Sequence, residues 1–415
     1  MQRQARFRFA SCLLLSLLAI LDSGCATTKV VGTSIHRVVN RQSVDPEIIE
    51  NAIGVDAQGG AGKLRELSRR FAAALAQLRA RVKARWGQND SKVAERTVYV
   101  KYTQGYQSRV VTDFDHGSIT VETLDAANPQ KSLRNALVTA LLTSSDPSSV
   151  DLFTDKDVIL DPQRRPYLYG LVNDNRGKPI SNRAQAERYA DFLVSRRAQT
   201  RLVQSEQGSS TALLVTLNMV KNFEAKGAER YYAAVEKYSA QYHVSPSLVL
   251  AIIRTESNFN PFAVSGAPAY GLMQLVPTSG GRAAMKRARG IDQAPTTETL
   301  FDADRNIELG TAYLSVLSEI EFQPVANPAS RDYCVIAAYN TGPRNVTRTF
   351  HREKSEALRS INGMPPQTLY DRLRTGLPAE ETRQYLAKVT GYRAQFVNSG
   401  AARIAGLDRR SAINE

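Results

Sequence analysis

Ser245-Pro-Ser-Leu-Val-Leu-Ala-Ile-Ile-Arg-Thr-Glu256 decides how this chain is read. Serine followed by proline marks a helix start, because a serine side chain can cap free amides and proline suits the first turn, where its missing N–H leaves no bond unmade. Leu248, Ile252 and Glu256 then fall on one face, four residues apart. A face built on aliphatics packs against a core, so the stretch predicts a carboxylate projecting from the buried side of a helix at its C-terminal end. Desolvation and the negative end of the helix dipole both disfavour the charged form of such a group. Its pKa is expected to rise from a reference of about 4.3 to roughly 6, the range a general acid needs at neutral pH. On spacing alone the competing reading is a glutamate turned to solvent at a frayed helix end.

Outward from this helix the chain changes texture on either side. After about residue 226 helices are expected at 228–242, 246–255, 305–320, 332–339 and 380–396. Before it, Thr97-Val-Tyr-Val-Lys-Tyr102, Ser108-Arg-Val-Val-Thr-Asp-Phe114 and Ser118-Ile-Thr-Val-Glu-Thr-Leu124 alternate with period two. The last two are joined across Asp115-His116-Gly117, which predicts a β-hairpin. Further strands are expected at 166–172 and 213–220, and helices at 131–142 and 182–197. Leu64, Leu67, Phe71, Leu75, Leu78 and Val82 keep the spacing of an amphipathic helix up to Trp86. The expected fold class is α+β, an N-terminal mixed α/β domain followed by an all-helical domain. The expected divisions are a signal peptide at 1–24, a tether at 25–62, the α+β domain at 63–225, the helical domain at 226–400 and a tail at 401–415.

Composition bounds the function classes. At 42% hydrophobic and 23% charged, the 415 residues describe a folded globular chain. A formal charge of +14 favours an anionic partner, whether nucleic acid, a phospholipid surface or an acidic polymer, and is equally met by a solvated basic surface. The N-terminus narrows this choice. Arg3, Arg6 and Arg8 precede the apolar run Cys12-Leu-Leu-Leu-Ser-Leu-Leu-Ala-Ile-Leu21, the pattern of a secretory signal. It ends in Asp22-Ser23-Gly24-Cys25, which resembles a lipobox with Asp22 in place of the usual aliphatic residue. Two outcomes follow: acylation of Cys25, with Ala26 after it favouring the outer membrane and a periplasmic orientation, or ordinary cleavage to a soluble periplasmic protein. With Cys12 removed and Cys25 acylated, Cys334 is left alone and reads as a buried structural thiol. His36, His116, His243 and His351 are dispersed, so no metal site is expected. Nucleic-acid binding has only the charge in its favour, and export argues against it.

Four signatures then occur in order: Glu256-Ser257, Gly271-Leu-Met-Gln-Leu275, Ala338-Tyr-Asn340, and Tyr385 within Glu381-Thr-Arg-Gln-Tyr-Leu386. Together they resemble the family 1 lytic transglycosylases, over about residues 230–396. Tyr99-Val-Lys-Tyr102, Asp146-Pro-Ser-Ser-Val-Asp-Leu152 and Tyr167-Leu-Tyr-Gly-Leu-Val172 resemble the membrane-bound murein transglycosylase C group of that family, which extends the likeness to most of the mature chain.

The resemblance implies a lysozyme-like catalytic domain, no cofactor, and peptidoglycan glycan strands as the partner. It implies that Glu256 protonates the oxygen between N-acetylmuramic acid and N-acetylglucosamine and then takes a proton from the muramoyl C6 hydroxyl, leaving a 1,6-anhydro end. Ser265 and Gln274 match residues that hydrogen-bond the saccharide, Met273 one that packs on sugar rings, and Tyr339 and Asn340 residues that bind or flank the sugar. Tyr385 matches a tyrosine whose hydroxyl approaches the catalytic carboxylate. Ala267 stands where some relatives have serine, and Ser257 is expected to cap or brace the loop that follows it. A two-carboxylate glycosidase needs a second acid, and the first after Glu256 is Asp292, in a polar segment. The rivals are a non-catalytic peptidoglycan-binding lipoprotein and a hydrolytic muramidase.

Overall fold

The computed structural model describes residues 60–265 and 269–398. The signal peptide, Cys25, nearly all of the tether, Ala267 and the 401–415 tail lie outside them. Among the described residues no helix is long and apolar enough to cross a membrane.

The N-terminal half is an antiparallel sheet with helices. Helix α1 (Gly60–Trp86) begins inside the stretch expected as tether. Strands β1 (Val98–Thr103), β2 (Ser108–Asp113) and β3 (Ser118–Thr123) follow. Then come α2 (Pro129–Leu142), α3 (Arg183–Arg197), β4 (Gln199–Ser205) and β5 (Gly208–Asn218). The strands lie in the order β1-β2-β3-β5-β4, all antiparallel. Both faces of the sheet are covered. On one, Tyr99, Val110, Ile119, Val121, Val215 and Leu217 join the large core under α2 and α3. On the other, Val100, Tyr102, Val111, Val203 and Ala212 pack against Leu78, Val82 and Trp86 of α1. The Trp86 indole N–H donates to the Tyr106 carbonyl at 2.8 Å, and the Arg109 guanidinium stacks 3.9 Å from its ring centre. Double coverage leaves polar strand residues buried, so they bring partners with them. Lys101 donates to the carbonyls of Asp151 and Thr154 at 2.8 and 2.9 Å, and Arg109 pairs with Glu122 at 3.2 Å.

One sequence expectation fails here, and one hairpin goes unread. Residues 166–172 are not a strand: they form successive turns with isolated pairings of Ser144 to Pro166 and Tyr169 to Val172. Gly170, at φ 74°, turns the backbone left-handed where an extended run would have to continue. Tyr167, Leu168, Leu171 and Val172 are nonetheless buried, so the apolar signal reports core and not strand. Conversely, β4 and the first half of β5 carry no alternation, because this edge hairpin buries little besides Val203 and Ala212.

The second half is helical: α4 (Phe223–Tyr242), α5 (Pro246–Ser257), α6 (Arg282–Arg289), α7 (Thr297–Phe301), α8 (Ala303–Val316) and α9 (Pro328–Thr341). There follow α10 (Pro343–Arg348), α11 (Lys354–Asn362), α12 (Pro366–Gly376) and α13 (Glu380–Asn398). The helix expected at 305–320 ends at Val316 and continues as one π-helical turn, Leu317–Glu321. Helices α6, α7 and α10 to α12 add to those expected from the sequence. Helix α4 runs across the expected 225/226 division.

The halves share one core. Phe262, fully buried, lies 4.4 Å from the ring of Tyr99 and 5.2 Å from that of Tyr167, centre to centre. Arg230 donates to the carbonyls of Tyr167 and Tyr169 at 2.8 and 3.0 Å, which fixes the irregular 166–172 stretch to α4. Phe262→Ala is expected to lower the free energy of unfolding in urea by about 3–5 kcal/mol. A loss below about 1 kcal/mol would mean that the three rings do not hold the halves together.

Candidate active site

Helix α5 starts where the serine and proline predict, but not by the expected cap: the Ser245 hydroxyl pairs with that of Ser247 at 2.8 Å and caps no backbone amide. Leu248 and Ile252 are buried as the spacing requires, and Glu256 follows them inward with 5% of its surface exposed. The helix ends abruptly. Asn258 and Phe259 take φ of 43° and 63°, a left-handed pair without glycine that holds only when the surroundings over-determine it. The surroundings do so from the other half of the molecule: the Asn258 amide donates to the Phe114 carbonyl at 2.7 Å, and that of Asn260 to the Arg96 carbonyl at 3.0 Å.

Three elements converge on the Glu256 carboxyl. From α13, the Tyr385 hydroxyl donates to Oε1 at 2.8 Å. From the segment entering β1, Arg96 Nη1 lies 3.7 Å from Oε2, while its Nη2 lies 3.4 Å from Glu381 on α13. From α9, Tyr339 comes within electrostatic reach of the same carboxyl, and burial holds its hydroxyl, like that of Tyr385, well above the usual tyrosine range, so both stay donors. Burial pushes the Glu256 carboxyl up to about 7, against the opposing pull of the Arg96 charge and the Tyr385 hydrogen bond and with a small addition from Glu381. Arg254, next but one to the acid in sequence, turns away to Glu224, Gln395 and the Tyr392 ring.

The loop carrying Gly271-Leu-Met-Gln-Leu275 is hung on one buried amide. Asn306 of α8 donates to the carbonyls of Tyr270 and Leu300 at 2.9 and 2.7 Å and accepts from the Met273 amide at 2.8 Å. Gly271 has φ 75°, and a Cβ there would meet the Leu300 carbonyl oxygen at 2.3 Å, so glycine is required on two counts. The Ser257 hydroxyl lies 2.8 Å from the Leu272 carbonyl, so it braces this loop and not the residues directly after it. Tyr339 donates to the Met273 carbonyl at 2.8 Å, linking the loop to α9.

The remaining residues singled out from the sequence divide. Gln274 is buried, with φ 47°; its amide donates to the carbonyls of Ala263 and Gly271, and its Oε1 has no partner among the described residues. Met273 departs from expectation: its side chain has no exposed surface and packs where a Cβ on Gly310 would clash, so in this conformation only its backbone serves the site. Asn340 accepts from the Thr382 hydroxyl at 2.7 Å, tying α9 to α13. Ser265 lies in the wall of a neighbouring cavity of about 400 Å³, with Arg79, Arg96, Arg254, Thr255 and Lys388. Glu256 is not in that wall; its neighbour Thr255 and its partner Arg96 are. Cys334 is buried, and burial pushes its thiol up to about 12, far from a nucleophile's range. Among the described residues no cluster of three or more His, Cys, Asp or Glu could hold a metal ion. Neither Arg96 nor Asn306 is marked by any sequence motif, because both act through contacts that only the fold creates.

Two family models match the chain: the N-terminal domain of membrane-bound lytic murein transglycosylase C over residues 64–230, and the transglycosylase SLT domain over residues 233–362. Tyr385 lies beyond the second match. Membrane-bound lytic murein transglycosylase C of Sodalis glossinidius (strain morsitans) is 43% identical over 311 residues, 75% of this chain and 85% of that protein. The protein of the same name from Klebsiella pneumoniae subsp. pneumoniae is 44% identical over 304 residues, 73% and 83% of the two chains. Among solved structures, an inactive mutant of the lytic transglycosylase Slt from Pseudomonas aeruginosa aligns at 29% identity and a TM-score of 0.32, over 40% of this chain and 24% of that one. The 70 kDa soluble lytic transglycosylase of Escherichia coli aligns at 27% and 0.31, over 40% and 23%.

The raised pKa of Glu256 has a consequence for stability. Between about 4.5 and 7 the native carboxyl keeps a proton that the unfolded chain has lost, so stability falls as pH rises through that window. Glu256→Gln, which mimics the protonated form, is expected to match the parent near pH 4.5 and to exceed it above pH 7 by roughly 3 kcal/mol, read as a gap between urea midpoints. A gap that does not open with pH would mean that the native carboxyl titrates like an exposed one.

Proposed function

The chain belongs to the membrane-bound lytic murein transglycosylase C family, and on that premise we propose that it is a peptidoglycan lytic transglycosylase in which Glu256 acts first as acid and then as base. The observation that carries this assignment is the Glu256 carboxyl itself, buried, bonded by Tyr385 and pushed up to about 7. A group with that pKa is protonated in a useful fraction at neutral pH and yet is basic enough to take a proton back.

The Tyr385 hydroxyl occupies Oε1 as a donor, which directs the carboxyl proton to Oε2. Oε2 gives that proton to the glycosidic oxygen as the bond to muramoyl C1 breaks. The carboxylate left behind then takes the proton of the muramoyl C6 hydroxyl, whose oxygen closes on C1 to form the 1,6-anhydro ring. Glu256 is thereby restored with no water consumed. Gln274, whose Oε1 has no partner among the described residues, Ser265 beside the cavity, and Tyr339 and Asn340 on α9 are the proposed saccharide contacts. Met273 supports the loop from within. The working division is an N-terminal domain to about residue 225 and a catalytic domain after it, joined by α4.

Hydrolysis by water is the second reading, favoured by one feature: the fold brings Glu381 to the site, a second carboxylate near Glu256 that the order of acids in the chain concealed. Its salt bridge to Arg96 weighs against a free general base. For location, we propose anchoring through acylated Cys25 at the outer membrane, facing the periplasm, in keeping with the membrane-bound relatives; globomycin-sensitive processing and palmitate labelling test it.

Purified murein incubated with the full chain is expected to release fragments with 1,6-anhydromuramoyl ends, each lighter by one water than a hydrolytic product, as read by mass spectrometry. Glu256→Gln is expected to reduce that release by at least about 100-fold while sacculus binding persists. Reducing ends would assign a muramidase, and intact polymer a binding protein.

A further inference from the structure

We propose that Arg96, delivered by the N-terminal half, is a positioning residue of this site: its guanidinium, held between Glu256 and Glu381, sets how readily Glu256 yields and recovers its proton. This rests on the reading of Glu256 as the acid and base.

Arg96 is fixed from both sides of the chain. Its carbonyl accepts from Asn260, which directly follows the left-handed pair that ends α5. Next to it, the Thr97 hydroxyl donates to Asp115 at 2.7 Å and the Thr97 carbonyl accepts from the Phe114 amide at 2.9 Å, which anchors the segment to the β2–β3 hairpin. Asn258 grips the same hairpin through the Phe114 carbonyl and Asp115. The guanidinium therefore approaches Glu256 from a rigid support and not from a loose surface chain.

An ion pair between two exposed groups has little effect, but here one partner is almost wholly buried, and attraction to a buried carboxylate is poorly screened by water. The distances grade that attraction. At 3.7 Å Arg96 stands beyond direct hydrogen-bond contact with Glu256, and at 3.4 Å it is nearer Glu381. A guanidinium bonded directly to Glu256 would hold it ionised and remove the acid; none at all would leave the carboxylate, once formed, with only Tyr385 to steady it. Glu381 draws the charge partly aside, and the carboxyl keeps both roles. The groups facing Glu256 are Arg96 from the β1 approach, Tyr385 and Glu381 from α13, and Tyr339 from α9; opposing contributions from Arg96 and Glu381 agree with their charges.

The test is the pH profile of fragment release from purified murein at low substrate, measured on the full chain and on Arg96→Gln, Arg96→Lys, Glu381→Gln and Glu256→Gln, each first checked for a cooperative melt. Release falls on the alkaline side as Glu256 loses its proton. Arg96→Gln is expected to move that limb to higher pH by about half a unit or more, Arg96→Lys to return it most of the way, and Glu381→Gln to move it to lower pH. Folded Arg96→Gln with an unmoved limb would overturn the proposal and leave Arg96 as a docking contact only. If Arg96→Gln does not fold, Glu381→Gln decides alone, and an unmoved limb there overturns it equally. Glu256→Gln separates the two levels: retained turnover removes the acid assignment itself, whereas a dead Glu256→Gln beside an unmoved Arg96→Gln limb removes only the role given to Arg96.

Discussion

Water excluded from one carboxyl is the constraint around which the rest of the molecule is arranged. A glutamate in a core resists ionisation, and a core that surrounded it with nothing else would hold it neutral throughout a reaction. Here burial dominates, while one hydroxyl and one guanidinium offset part of it. The balance needs pieces from far apart: α5 supplies the acid, α13 the hydroxyl, α9 a second tyrosine, and the approach to β1 the positive charge. Each piece is in turn held by packing away from the site, as with Asn306 behind the 271–275 loop and Asn258 and Asn260 on the β2–β3 side.

Local order was legible in the sequence wherever one element decides it. Helix α5, the β2–β3 hairpin and the stripe of α1 all announce themselves through periodicity, since a helix or strand with one buried face must repeat at its own pitch. Where the pitch is lost the sequence misleads. The edge strand β4 shows no apolar alternation because Val203 alone of its residues is buried, and 166–172 has apolar residues without strand geometry because Gly170 turns the chain.

The site divides along similar lines. Glu256, Tyr385 and their mutual contact follow from motif and helix face, and the structure brings the two side chains to hydrogen-bond distance. Direction of a side chain within a motif is another matter. Met273 belongs to the right loop but points into the core against Gly310, which a string of letters does not record. Arg96 is the opposite case: an arginine before a strand, in a basic chain, carries no mark that sets it apart until the two halves are folded together.

The left-handed turn after α5 reaches further than local geometry. Its two asparagines close on the half of the chain made first, while the tyrosine bonded to the acid comes from the last described helix. Only a fragment that reaches from Arg96 to Tyr385 contains this set of groups. A polypeptide threaded out only as far as α12 therefore lacks the hydroxyl that bonds the acid, and the full set of groups around Glu256 is assembled only once α13 has joined the fold.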